Sequence, residues 1–145
     1  MEESMGDKPV VIEQSFNLST EQIWNAITDK DKMKQWYFHL KEFKPEVGFE
    51  FRFLAGENED NQYLHICKIT EVIPGKKIAY SWRYEGYEGI SYVSFELFPE
   101  MRGTRLKLTH SGLESFPQNN PDLAKGNFEK GWKQIIGGSL KNYLG

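Results

Sequence analysis

A chain of 145 residues is long enough to bury a core without a staple, and 39% hydrophobic with 27% charged residues is an ordinary globular composition. A formal net charge of -3 and the lack of basic runs remove the positive surface that nucleic acids or anionic lipids would reward. One cysteine, Cys67, excludes an internal disulfide, and the apolar stretches fall far short of the roughly 20 residues that a spanning helix needs.

Residues 1–8 are polar and expected to be flexible; 9–145 are expected to form a single domain. Met1-Glu2-Glu3-Ser4 lacks the basic and apolar regions of a signal peptide, so the expected location is the cytoplasm, where the sequon Asn17-Leu18-Ser19 has no meaning. Val10 to Phe16 is β-branched enough to predict a first strand. Ser19 with Gln22 has capping-box spacing, and Ile23, Trp24 and Ile27 follow on one face, which predicts a short helix. A second helical turn carries Met33, Trp36 and Tyr37.

From about residue 40 to 111 the pattern turns to strands, with turn signals suited to an antiparallel meander. Phe49, Phe51 and Phe53 alternate with Glu50 and Arg52, and the polar run 56–61 reads as a hairpin loop. After a strand from Tyr63 to Ile73, Pro74-Gly75-Lys76-Lys77 turns the chain into Ile78, Tyr80, Trp82 and Tyr84, all on one face. Val93, Phe95 and Leu97 repeat the alternation, as do Thr104, Leu106 and Leu108. A loop rich in Pro, Asn and Gln then leads to Phe128, Trp132, Ile135, Ile136, Leu140, Tyr143 and Leu144 at helical spacing, despite Gly131, Gly137 and Gly138. The result is an α+β chain: a curved antiparallel sheet wrapped around a long C-terminal helix, with two short helices near the N-terminus.

Catalytic signatures fail one by one. Gly89-Ile90-Ser91-Tyr92-Val93 breaks the nucleophile-elbow pattern at its last position, and Gly126 to Gly131 has phosphate-loop spacing with Trp132 where Lys belongs. His39, His65 and His110 fall in separate segments with no paired ligand spacing, so no metal and no cofactor are expected. Cys67 beside Ile66 reads as a small buried hydrophobe, and Glu71 as a solvated strand residue. His110 ends a core-facing series, so it is either a polar handle in a pocket or a hydrogen-bonded core histidine. The rings of Tyr80, Trp82, Tyr92, Phe128 and Trp132 are either a ligand-stacking set or plain core.

Several ordered signals run together: Trp24, Trp36, Tyr80-Ser81-Trp82, the stretch from Gly103-Thr104-Arg105-Leu106 to Gly112-Leu113, then Gly131-Trp132 with Leu140 and Leu144. From about residue 10 to 144 the chain resembles the activator of heat-shock protein 90 ATPase homologue family, within the START-like (SRPBCC) superfamily. The resemblance implies the helix-grip fold with a hydrophobic cavity between sheet and C-terminal helix. It also implies a choice of roles, since similar proteins bind lipids, hormones or polyketides, cyclise polyketides, or act as co-chaperones in the stress response. The chaperone activators carry a further N-terminal domain for which this chain is expected to have no room.

The leading expectation is therefore a non-enzymatic module, monomeric or weakly dimeric, that binds an apolar or aromatic small molecule. Its expected site is Trp36, Phe51, Phe53, Tyr80, Trp82, Tyr92, Phe128 and Trp132, with Tyr80, Tyr92 and His110 fixing orientation. The alternatives are a chaperone-binding module using Arg105 and Lys107 on the outer sheet face, and a cyclase or hydrolase using His110 or a Glu as base.

Overall fold

The computed structural model of the protein describes residues 8–58, 61–117 and 119–145. Alternating apolar residues build its sheet. Among the described residues there are six strands: β1 (Val10–Phe16), β2 (Glu50–Asn58), β3 (Asn61–Ile73), β4 (Lys77–Tyr84), β5 (Ser91–Glu100) and β6 (Gly103–Ser111). Their order is β1-β6-β5-β4-β3-β2, with every pair antiparallel, so β2 to β6 form a meander and β1 joins beside β6.

Parity sets the faces. On β6, Thr104, Leu106, Leu108 and His110 are buried, and Ile78, Tyr80, Trp82 and Tyr84 of β4 join them. Register shifts at Gly56/Asn58 and at Ile69/Glu71 are bulges of the kind that bend a sheet and let it curl round a helix. Glu59 and Asp60 of the expected hairpin loop, residues 1–7 of the expected flexible start, and Gln118 of the Pro/Asn/Gln loop lie outside the described residues.

The two expected N-terminal helices are α1 (Thr20–Thr28) and α2 (Lys30–Trp36). The capping box that starts α1 is complete: the Gln22 amide donates to Ser19 Oγ at 3.1 Å, and the Ser19 amide donates to Gln22 Oε1 at 3.0 Å. Asp29 ends α1 and caps α2, its Oδ1 accepting from the Asp31 amide at 2.9 Å. Ile23, Ala26 and Ile27 are the buried residues of α1, which packs on β5 and β6.

The long C-terminal helix expected is present, and it is not α-helical throughout. It runs as α3 (Lys125–Gln134), a π-helical segment at Ile135–Leu140 and a last α-helical turn, α4 (Lys141–Leu144). Phe128, Trp132, Ile136 and Leu140, a strict four-residue repeat, are its buried residues. At 3.6 residues per turn that repeat drifts by about 40° per step, so an unbroken α-helix would swing Leu140 off the core. The wider π turn takes up the drift. Gly137 and Gly138 sit inside it, where helix propensity is weakest. No helix among the described residues is long and apolar enough to cross a membrane.

Candidate functional site

A cavity of about 460 Å³ lies between the β2–β4 end of the sheet and α3. Ala55 and Gly56 of β2, Tyr63 and His65 of β3, and Trp82 and Tyr84 of β4 form its sheet side. Phe128, Gly131 and Trp132 face them from α3, with Lys130 and Gln134 beside them and Phe38 and Leu123 at the margins. The polar share of the wall is large for a cavity expected to be hydrophobic. A sealed dry void of 460 Å³ would cost about 11 kcal/mol, of the order of a whole domain's stability, so hydroxyl, imidazole and amide groups suit a wet or occupied space.

The aromatic wall is held by hydrogen bonds as well as packing. Trp132 Nε1 donates to His110 Nδ1 at 2.9 Å, which makes Nε2 the protonated nitrogen of a neutral ring. Nε2 then donates to Ser91 Oγ at 2.7 Å, and Ser91 Oγ donates to the Trp82 carbonyl at 3.0 Å. This relay ties α3 to β6, β5 and β4 in turn. Burial pushes the His110 pKa down to about 3, and no side chain of opposite charge offsets it.

His65 lines the cavity with its ring stacked on Phe53 at 4.5 Å and set edge-on to Trp82 and Tyr84. Its Nδ1 donates to the Tyr63 carbonyl at 2.9 Å; burial lowers its pKa to about 4 against the opposing pull of backbone hydrogen bonds. Next to it, the Tyr63 hydroxyl donates to Asp122 Oδ2 at 2.8 Å and accepts from Asn120 at 3.4 Å, which fastens β3 to the turn that precedes α3. Among the described residues no group of three or more His, Cys, Asp or Glu side chains is placed to hold a metal.

The model of the family described as "Activator of Hsp90 ATPase homolog 1-like protein" matches residues 17–145. The chain belongs to this family. Among solved structures it is similar to protein MLL2253 of Mesorhizobium loti, at 26% identity over 94% of this chain and 96% of that one, with a TM-score of 0.78. DynU16, a protein in the dynemicin biosynthetic locus, is 22% identical over 95% of this chain and 47% of its own, with a TM-score of 0.77. CalU16 of Micromonospora echinospora is 23% identical over 94% and 75%, with a TM-score of 0.73. No curated protein matches the chain.

The family's helix-grip fold is present, a curved antiparallel sheet holding the long C-terminal helix, but the cavity gathers only part of the expected residue set. Trp82, Phe128 and Trp132 line it. Phe53 lies one layer behind, stacked on Phe38 at 4.2 Å. Trp36, Phe51 and Tyr80 are buried in the packed core away from the cavity, the Tyr80 hydroxyl sharing a hydrogen bond of 2.6 Å with that of Tyr37. His110 has 0% exposure and both nitrogens engaged, so it lies behind Trp132 as a hydrogen-bonded core histidine. Tyr92 is on the opposite face: it pairs with Ser81 and Ser111, and is 48% exposed because its neighbour Val93 takes the inward position.

Phe38, Tyr63, His65 and Tyr84 are cavity residues that the site expectation lacked. A signal for three of them existed, since Tyr84 shares the inward parity of Trp82, and Tyr63 and His65 that of Cys67. On the outer face Arg105 is engaged by Glu13 and Glu100 and lies 4.6 Å from the Phe98 ring centroid.

Proposed function

We propose that this chain binds a small aromatic or apolar molecule in the cavity between β2–β4 and α3, and that it acts by binding rather than by turnover. The observation that carries the reading is a cavity of about 460 Å³, within the usual range for a ligand site, whose aromatic wall is fixed by a hydrogen-bonded relay. Membership of a family on a ligand-binding fold supports it, and so does the likeness to a protein from a biosynthetic locus. A general-base role for His110 has little support, because its Nδ1 lone pair accepts from Trp132 and its ring is sealed from the cavity.

A thermal-shift screen against fatty acids, sterols and polycyclic aromatic compounds tests the reading. A ligand at 100 times its dissociation constant adds about 2.7 kcal/mol, which raises the midpoint by several degrees in a domain of this size. Gly131→Leu is the control: a Cβ there meets nothing within 4 Å, and Gly131 lines the cavity, so the added side chain takes up ligand space. The expected result is a rise that Gly131→Leu removes. An equal rise in the variant, or none in the parent protein, contradicts the assignment.

A further inference from the structure

Every polar group along the relay from Trp132 to Trp82 has a partner, whereas the hydroxyl proton of Tyr84 at the cavity wall has none among the described residues. Trp82 Nε1 donates to the Tyr84 hydroxyl oxygen at 2.8 Å. A phenol hydroxyl donates as well as accepts, yet among the described residues nothing takes the Tyr84 proton. Tyr84 is only 4% exposed, and it lines the cavity. The Tyr37–Tyr80 pair also has a proton left over, but neither of those rings reaches the cavity wall. Tyr63, by contrast, donates to Asp122.

The Tyr84 hydroxyl is thus a buried donor, on a residue that lines a space of ligand size, with no acceptor of its own among the described residues. Accepting from an indole N–H polarises its own O–H and strengthens it as a donor. Burial holds the phenol protonated, its pKa raised above the ordinary tyrosine value. Around it stand the rings of His65, Phe116 and Tyr63 with the Trp82 indole N–H, and the nearest ring, His65, is neutral. The charged residues of the wall, Lys130 and Asp122, come from α3 and the turn before it, so nothing on the β4 side compensates an anion.

Resting on the ligand-binding reading above, we propose that Tyr84 is the anchoring donor of this site and that its ligand is a flat aromatic molecule with an uncharged acceptor oxygen, such as a ring ketone, on its inward edge. An acyl chain would leave the Tyr84 proton unmatched, which in a buried site is a loss that selects against it.

The test uses fluorenone and fluorene, which share one ring skeleton and differ by the carbonyl, titrated by tryptophan fluorescence into the parent protein and Tyr84→Phe. The expected result is roughly tenfold tighter binding of fluorenone than fluorene, with Tyr84→Phe erasing most of that ratio while changing fluorene affinity by less than about threefold. Equal affinities in the parent protein, or a ratio that survives Tyr84→Phe, overturn the anchor and leave the cavity assignment standing; failure of both compounds to bind overturns the cavity assignment itself. A second readout needs no variant. The carbonyl stretch of fluorenone bound to the parent protein shifts to lower wavenumber if Tyr84 donates to it, and an unshifted band overturns the proposal.

Discussion

Trp132 of the C-terminal helix donates its indole N–H to Nδ1 of His110 on β6 at 2.9 Å, and both residues are buried. This bond fixes the imidazole tautomer, positions the ring that faces the cavity, and joins the helix to the far side of the sheet. Trp132→Phe keeps most of the packing and removes the donor. The expected cost is about 1–3 kcal/mol for an unsatisfied buried acceptor, and Trp132→Ala is expected to lose about 3–5 kcal/mol; urea unfolding measures both.

Acid sensitivity follows from the two buried histidines. Both have folded pKa values below the free value of 6.5, about 4 for His65 and about 3 for His110. As pH falls through 6.5 the unfolded chain takes up protons that the folded chain refuses, so their stabilising contribution is complete above that value and is lost as pH falls to the folded values. Near pH 5 the two sites together give a slope of about 2–3 kcal/mol per pH unit, stability falling with pH. Urea midpoints at pH 7.5, 6 and 5 check this, and a flat profile across that window contradicts it.

The glycines of the C-terminal helix are dispensable for packing, in contrast to Gly89. A side chain at Gly138 meets nothing within 4 Å, so Gly138→Ala is expected to raise stability by about 0.5–1 kcal/mol. At Gly89, where φ is +104°, a Cβ would lie 2.4 Å from the Ser115 carbonyl oxygen, and Gly89→Ala is expected to lose more than about 2 kcal/mol. Melting curves of the two variants should move in opposite directions.

Phe51 separates the core from the site. It packs against Phe43, Phe53 and Tyr80 and does not line the cavity. Phe51→Ala is therefore expected to cost about 3–5 kcal/mol in stability. The affinity of the folded fraction for an aromatic ligand should stay within a few fold of the parent protein's. A large loss of affinity would move the cavity wall to where Phe51 stands.

The sheet was legible because two-residue alternation fixes a face once a neighbour is assigned: Val93 inward already makes Tyr92 outward. Its inclusion in the site came from its aromatic character overriding that rule. Parity also marked Tyr84, Tyr63 and His65 as inward, but it cannot tell an inward residue that meets a neighbour from one that meets a void. That depends on where α3 leaves the β2–β4 end uncovered, a distance of tertiary packing no local pattern carries. Phe38 had no periodic signal at all, since it follows α2 in irregular chain. The Gly137-Gly138 pair looked like a weakness in an α-helix, and the π turn gives it a place.

The four tryptophans offer the most direct test of a site beneath α3. Trp82 and Trp132 line the cavity, whereas the Trp36 indole donates to the Ala26 carbonyl at 2.9 Å away from it, and Trp24 lies on α1. Titration of an aromatic ligand such as fluorenone into protein labelled with nitrogen-15, observed at the indole N–H resonances, reads all four at once. The account predicts that the Trp82 and Trp132 signals move together and saturate while those of Trp24 and Trp36 hold still. Saturating shifts at Trp24 or Trp36 with Trp82 and Trp132 unmoved would contradict it.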